Sequence, residues 1–329
     1  MKKVLVTGGA GYVGSILVPK LINQGFDVRV LDLMIFGSKG LNHVKDKCEI
    51  VTGDIRDSKL VEKCLEGIDS VIHLAAISND PCSDLNPKLT EEVNFGGTKD
   101  LVELSKKKGI KRFINISTSS VYGIKKESNV TEDIPLEPLT IYSKTKARAE
   151  EIVRISNDSD FVAVNIRPAT VCGYSPRMRL DLTVNILTEQ AINKGKITVF
   201  GGEQKRPNIH IEDITDYYIH LLNAEKEKIA GETFNAGYEN HTLIEIANLI
   251  KEVVGDVIIE RTETNDLRSY HISSEKIRKN LGLFPRKTIK DAVLDIKYAF
   301  SSGLIPNPSD TIYRNIARMK EIGIEKFIK

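Results

Sequence analysis

Short apolar runs alternate with amphipathic stretches through the first half of the chain. Val4-Leu5-Val6-Thr7, Val28-Arg29-Val30-Leu31, Glu49-Ile50-Val51, Ser70-Val71-Ile72-His73, Phe113-Ile114-Asn115-Ile116 and Val162-Ala163-Val164-Asn165-Ile166 read as β-strands, since branched apolar residues dominate them. Helical patterns lie between, the first carrying Val13, Ile16, Leu17, Leu21 and Ile22. Strand–helix alternation of this length predicts an α/β fold with a doubly wound parallel sheet, whose ligands sit at the carboxyl ends of the strands.

The pattern changes after Arg167-Pro168. A loop rich in Gly, Pro and Arg runs from Cys172 to Arg179, followed by a predicted helix near Leu180 to Asn193 and a strand at Ile197-Thr198-Val199-Phe200. Helical patterns recur at Asp213 to Asn223, Leu243 to Val253 and Ile289 to Phe300, and the last thirty residues read as a loop and an amphipathic helix. The expected division is a first domain over residues 1–171 and a smaller C-terminal domain over 172–329, some of whose segments return to the first sheet.

Composition narrows the functional classes. The 47 basic and 45 acidic residues leave a net charge of +2, and the lysine clusters at 106–108 and 125–126 are short enough to be solvated helix ends or loops. No basic stripe points to nucleic acid as a partner. The chain starts Met-Lys-Lys and enters its first strand at once, and no stretch approaches the ~20 apolar residues of a membrane span, so the expectation is a cytoplasmic protein. Its four scattered cysteines, Cys48, Cys64, Cys82 and Cys172, lack CxxC spacing and read as reduced thiols. The six histidines show no metal-ligand spacing; His73 and His210 read as packed or loop-fixing, and no metal is expected.

Two constellations carry chemistry. Gly8-x-x-Gly11-x-x-Gly14 lies between the first strand and the first helix, where small residues let a pyrophosphate approach the positive helix N-terminus. The spacing departs from G-x-G-x-x-G, and an ordinary tight turn is the competing reading. Asp32, at the end of the second strand and 18 residues after Gly14, suits ribose hydroxyls and repels a 2′-phosphate, which favours NAD over NADP. Tyr142 and Lys146, four apart in Ile-Tyr-Ser-Lys-Thr-Lys, share a helix face, where an ammonium stabilises a phenolate that can act as a base.

With these motifs in order, the chain resembles the extended short-chain dehydrogenase/reductase family, in particular its NAD-dependent nucleotide-sugar epimerases and dehydratases, of the UDP-glucose 4-epimerase kind. The likeness covers nearly the whole length and implies a Rossmann-type sheet with a smaller C-terminal substrate-binding domain. Thr7 to Gly14 matches the cofactor loop, Gly53-Asp54-Ile55-Arg56-Asp57 the segment beside the adenine, and His73-Leu74-Ala75-Ala76 the turn after the fourth strand. Val93-Asn94-x-x-Gly97-Thr98 matches a helix whose asparagine braces the active-site strand, and Arg167-Pro168-Ala169 a strand end that meets the nicotinamide. The resemblance therefore implies cofactor contacts at Gly8, Gly11, Tyr12, Val13, Gly14, Asp32, Asp54, Ile55, Leu74, Ala75, Ala76, Asn94, Tyr142, Lys146 and Pro168.

Within Ser117 to Gly123, matching Val121-Tyr122-Gly123 puts the catalytic hydroxyl at Thr118, beside Tyr142 as base and Lys146 as its electrostatic partner. The substrate implied is a nucleotide-diphosphate sugar, with contacts at Thr118, Asn185, Arg206 and Arg268; guanidinium suits a bidentate hold on phosphate. Arg177 and Arg179 read equally as diphosphate ligands, lid residues or surface charges. The family's 4,6-dehydratases carry Asp and Glu after the catalytic threonine, where this chain has Ser119 and Ser120. Serine supplies no carboxyl acid or base, so dehydration ranks low.

The expected activity is 4-epimerisation through a transient 4-keto sugar. A C4 dehydrogenase or 4-ketosugar reductase uses the same residues and is the alternative, and a non-catalytic NAD-binding relative is the reading from another class. The family likeness also implies a homodimer formed through a four-helix interface that includes the helix of Tyr142.

Overall fold

A computed structural model describes residues 2–127, 129–264 and 271–324. Twelve strands are present among them: β1 (Lys3–Thr7), β2 (Asp27–Asp32), β3 (Glu49–Thr52), β4 (Ser70–His73), β5 (Arg112–Ile116), β6 (Val162–Pro168), β7 (Thr170–Cys172), β8 (Lys196–Phe200), β9 (Lys205–His210), β10 (Thr233–Ala236), β11 (Glu239–Thr242) and β12 (Ile258–Thr262). Seven form one parallel sheet in the order β10-β6-β5-β4-β1-β2-β3. Helices cover both faces, making a doubly wound Rossmann-type α/β fold. Val4, Leu5, Val6, Val71, Ile72, Phe113, Ile114 and Val164 are fully buried. Apolar side chains thus fill both faces of the central strands, which explains their unbroken hydrophobic runs.

The strand order reverses beside β1, because β2 lies on one side and β4 on the other. Loops leaving their carboxyl ends diverge there and open a crevice. Later chain segments complete this layer. β10 joins the sheet beside β6, and Lys20 of the first helix, Gly14–Asn23, pairs with Glu212 and Asp216 of the helix Ile211–Asn223.

Beyond β6, β7 pairs in parallel with β9, and β11 antiparallel with β9. β8 and β12 form a parallel pair. Helices Thr183–Lys194, Leu243–Val254 and Ile289–Ser301 pack around Val184, Leu187, Ile246, Ile250 and Val293. The first of these starts later than its apolar pattern predicts. Leu180 and Asp181 are held outside it, by Tyr313 O accepting from the Leu180 N–H (2.8 Å) and by an Arg179–Asp181 ion pair. Lys125, expected in a solvated loop, is buried and pairs with Glu137 at 2.9 Å. Among the described residues no helix is long and apolar enough to cross a membrane.

One helix matters most for the site. Ile141–Ser156 starts at a capping box in which Thr140 and Ser143 satisfy each other's backbone N–H groups. Thr140 Oγ1 also donates to Asp80 at 2.6 Å. Two turns beyond Tyr142, Glu150 accepts from Arg167 of β6, through Nε at 3.0 and 3.1 Å and Nη2 at 2.7 Å. Both partners are 6% exposed. Burial disfavours the Arg167 charge, but Glu150 outweighs it and holds the guanidinium above its usual pKa. Replacing Glu150 by Ala is expected to strand that cation and cost about 3–5 kcal/mol of stability, read by urea unfolding; a loss below about 1 kcal/mol would show that the pair does not anchor the helix.

Candidate active site

A cleft of about 520 Å³ lies above the carboxyl ends of the central strands, a size common for small-molecule sites. Gly8, Gly11, Tyr12, Val13 and Gly14 line it from the loop after β1, and Asp32 from the end of β2. Asp54 and Ile55 follow β3, while Leu74, Ala75 and Ala76 follow β4. Gly8 adopts φ +72°, and a Cβ there would sit 2.7 Å from Ala75 N, so this residue lets the two loops touch. At Gly11 a Cβ would meet only Gly8 O, at 3.2 Å, which leaves backbone accessible beside the first helix.

The Asp32 carboxylate accepts from Ala10 N–H at 3.0 Å and Met34 N–H at 2.8 Å, one bond on each oxygen. Burial raises its pKa, against the pull of those two donors and the Arg177 charge. Each oxygen keeps acceptor capacity for ribose hydroxyls. The exposed backbone at Gly11, the uncapped start of the first helix and this carboxylate together fit a dinucleotide without a 2′-phosphate.

Thr118, Ser119, Ser120, Tyr142, Ser143, Lys146 and Pro168 also line the cleft. Thr118 caps a short helical turn, Ser119–Tyr122, its Oγ1 accepting from Ser120 N–H at 3.2 Å and lying 3.0 Å from Ser120 Oγ. Lys146 is 2% exposed. Burial lowers its pKa to about 8, while the Glu150 charge one turn away pulls upward. His73 lies below, its ring nitrogens 2.7 Å from Thr7 Oγ1 and 2.9 Å from Thr98 Oγ1. Burial first, and the Lys146 charge second, push it down to about 3, so it is neutral.

Two residues expected to touch ligands are placed elsewhere. Asn94 does not line the cleft; it is fully buried in a π-helical turn, Glu92–Gly97. Its amide accepts from Ile77 N–H at 2.8 Å and donates to Ile77 O at 3.0 Å, which braces the loop after β4. Asn185 is buried too, donating to Arg179 O (2.9 Å) and Tyr12 OH (3.1 Å) and accepting from Gly173 N–H (3.1 Å). Both amides are spent on neighbouring loops, so each positions the wall from behind. Arg206 reaches the cleft from β9, and Arg268 lies outside the described residues.

Other wall residues carry no recognisable motif. Phe36, Asn315 and Ile324 line the cleft, as do Arg177 and Arg179. Both arginines are buried, which removes the surface-charge reading. Asn79 stands beside them at φ +78° and ψ 158°, a conformation strained for any residue with a side chain, and its Oδ1 caps Cys82 N–H at 3.0 Å. Asp80 follows it into the wall. Only Asn79-Asp80-Pro81, a turn-forming string, signalled this segment in the sequence.

Residues 4–237 match the NAD dependent epimerase/dehydratase family. A UDP-glucose 4-epimerase of Lactobacillus helveticus is 31% identical over 314 residues, covering 89% of this chain and 94% of its own. Among solved structures, a UDP-glucuronic acid 4-epimerase from Bacillus cereus, in complex with UDP-glucuronic acid and NAD, superposes with a TM-score of 0.81 at 27% identity, covering 91% of this chain and 99% of its own. A dTDP-glucose 4,6-dehydratase from Streptomyces venezuelae with NAD bound gives 0.82 at 25% identity, covering 92% and 98%. Family match, fold and cleft agree: the chain belongs to the NAD dependent epimerase/dehydratase family and is an enzyme with NAD as its cofactor.

Proposed function

We propose that this enzyme is a nucleotide-sugar 4-epimerase that works through a transient 4-keto sugar. The observation that carries the reading is the pair of serines at 119 and 120, which line the cleft beside Thr118. Dehydration needs an acid and a base at those two positions, and hydroxyls supply neither. Asp80, a cleft-lining carboxylate, accepts from the Thr140 hydroxyl at the start of the catalytic helix. 4-Epimerases among the chain's relatives support the same choice, alongside decarboxylases and dehydratases.

NAD, when bound, supplies the acceptor and donor for the hydride at C4. The Lys146 ammonium one turn away stabilises the Tyr142 phenolate, which takes the proton of the sugar 4-hydroxyl and becomes the neutral phenol. Thr118 Oγ1 hydrogen-bonds the same oxygen as it changes from hydroxyl to carbonyl. The keto sugar turns about its link to the diphosphate and presents its other face, and Tyr142 then returns the proton. Arg206 holds the diphosphate, and Arg268 is proposed as its second ligand. Two chains associate through a four-helix interface that includes the helix Ile141–Ser156.

Replacing Tyr142 by Phe is expected to lower kcat about 10²–10⁴-fold, the usual worth of a positioned acid–base group, while bound NAD persists. Turnover by the variant at the wild-type rate would sink the mechanism. Incubation with UDP-, GDP- and dTDP-hexoses, followed at 340 nm and by NMR, is expected to yield a 4-epimer without net NADH; a stable 4-keto product with accumulating NADH would mean a dehydrogenase instead. Lys146 supplies a pH test. Its folded pKa of about 8 lies below the ordinary lysine value of about 10.4, so the unfolded chain holds more protons between them and stability gains with pH across that window. Lys146→Met should flatten that slope in chemical unfolding of the NAD-free protein; an unchanged slope would show that the ammonium is not buried at a cost.

A further inference from the structure

Among the described residues, Arg177 is a buried cation without an anion paired to it. It leaves the loop after β7 and is 5% exposed. Its guanidinium carbon lies 3.8 Å from the centre of the Phe36 ring, and Nη2 donates to Asn315 Oδ1 at 2.6 Å. Its Nε finds no acceptor among the described residues. The nearby carboxylates are engaged elsewhere. Asp181 is held by Arg179 and by Asn315 N–H, and Asp32 by its two backbone donors. Burial lowers the Arg177 pKa to about 9, with the Arg179 charge adding to the effect. An arrangement that leaves a cation desolvated and unpaired costs several kcal/mol unless a ligand completes it.

Its location selects the ligand. The Arg177 backbone N–H donates to Ser15 Oγ at 3.3 Å, in the first turn of the helix that follows the glycine loop. That helix start has no side-chain cap and no acidic residue in its first turn, so two positive features meet at one end of the cleft. Phe36 and Asp32 flank the same point. Arg206 enters from a different sheet, on β9, and is left for the sugar nucleotide.

The C-terminal segment closes this point. Asn315 touches Arg177 through Oδ1, Asp181 through its N–H at 2.8 Å and Ser78 through Nδ2 at 3.2 Å. Arg318 Nε donates to Ile35 O at 3.0 Å. Met319 and Ile324 pack with Ile35, Phe36, Ile77 and Cys82. One helix, Asn315–Glu321, thereby bridges the loop after β2 and the loop after β4, the two loops between which a dinucleotide lies.

We propose that Arg177 is the counter-ion of the diphosphate of NAD, and that Asn315 clasps it there so that the cofactor stays bound from one turnover to the next. Retention suits a reaction with no net redox change, since a dehydrogenase has to exchange its cofactor. The full chain carrying NAD is mixed with excess deuterated NAD, and native mass spectrometry follows exchange of the bound molecule. Asn315→Asp is nearly isosteric and sets a competing carboxylate against Arg177. It is expected to speed exchange about tenfold, and Arg177→Met at least as much. Raising the salt to 1 M should accelerate exchange in the wild type more than in either variant, because only the wild type has the ionic contact to screen. Exchange within twofold of wild type in both variants would overturn the assignment. So would an equal salt response in all three proteins, which would leave Arg177 a packing role only.

Discussion

Arg167 and Glu150 meet in a buried, forked ion pair, and the geometry of the reacting groups hangs on it. Its guanidinium also donates through Nη1 to Tyr122 OH at 2.7 Å, and that hydroxyl donates to Asn235 Oδ1 at 2.8 Å. Tyr122 closes the turn that Thr118 opens. Glu150 lies on the helix of Tyr142 and Lys146, at the same helical face, eight and four residues on. A single network therefore ties β6, β10, the threonine turn and the catalytic helix. Planar guanidinium is the one side chain that can serve a carboxylate and a phenol in fixed directions at once.

The same pair sets the charge on Lys146. Desolvation alone would drive a fully buried amine toward neutrality, and the carboxylate one turn away opposes it. Glu150 is thus shared between an arginine that needs a partner and a lysine that needs a field. Because it already carries the forked bond to Arg167, it cannot swing out to neutralise the ammonium. Lys146 keeps its charge for the phenol and the cofactor. His73, held between two threonine hydroxyls, is kept in the neutral form by its burial first and by that charge second.

Sheet and cofactor wall were legible in the sequence because both are local. Strands β1 to β6 declare themselves by a few branched residues, as Thr233-Phe234-Asn235-Ala236 of β10 does not, and the glycine loop and Asp32 follow β1 and β2 within a short span. Thr118, Tyr142 and Lys146 could be named as well, since i,i+4 spacing and a Val-Tyr-Gly string mark them. Asn94 braces a wall loop, a role akin to the one its motif implied, whereas Asn185 shows where this stops. An amide is as good a brace as a ligand contact, and its motif does not say which way the amide faces. Arg177 was ambiguous for a related reason. Its fate depends on Asn315, 138 residues later, and on Phe36, on a loop of the other layer. No periodicity joins three such residues.

Cleft charge follows a division that the fold imposes. Carboxyl ends of parallel strands and amino ends of the following helices converge on one edge of the sheet, which makes that edge a place for anions. NAD and, on the proposed reading, a sugar nucleotide each carry a diphosphate, and two such groups need separate cationic points, or they would repel at close range. Arg177 stands at the glycine-loop end and Arg206 comes from β9, so the two points are carried by different layers. The reacting carbon then belongs between them, where Thr118 and Tyr142 face the cleft and the positive charge is Lys146 alone among the described catalytic-wall residues. Neutral hydroxyls at 118, 119 and 120 line that midpoint, and on the proposed 4-epimerase reading they leave the sugar free to show either face.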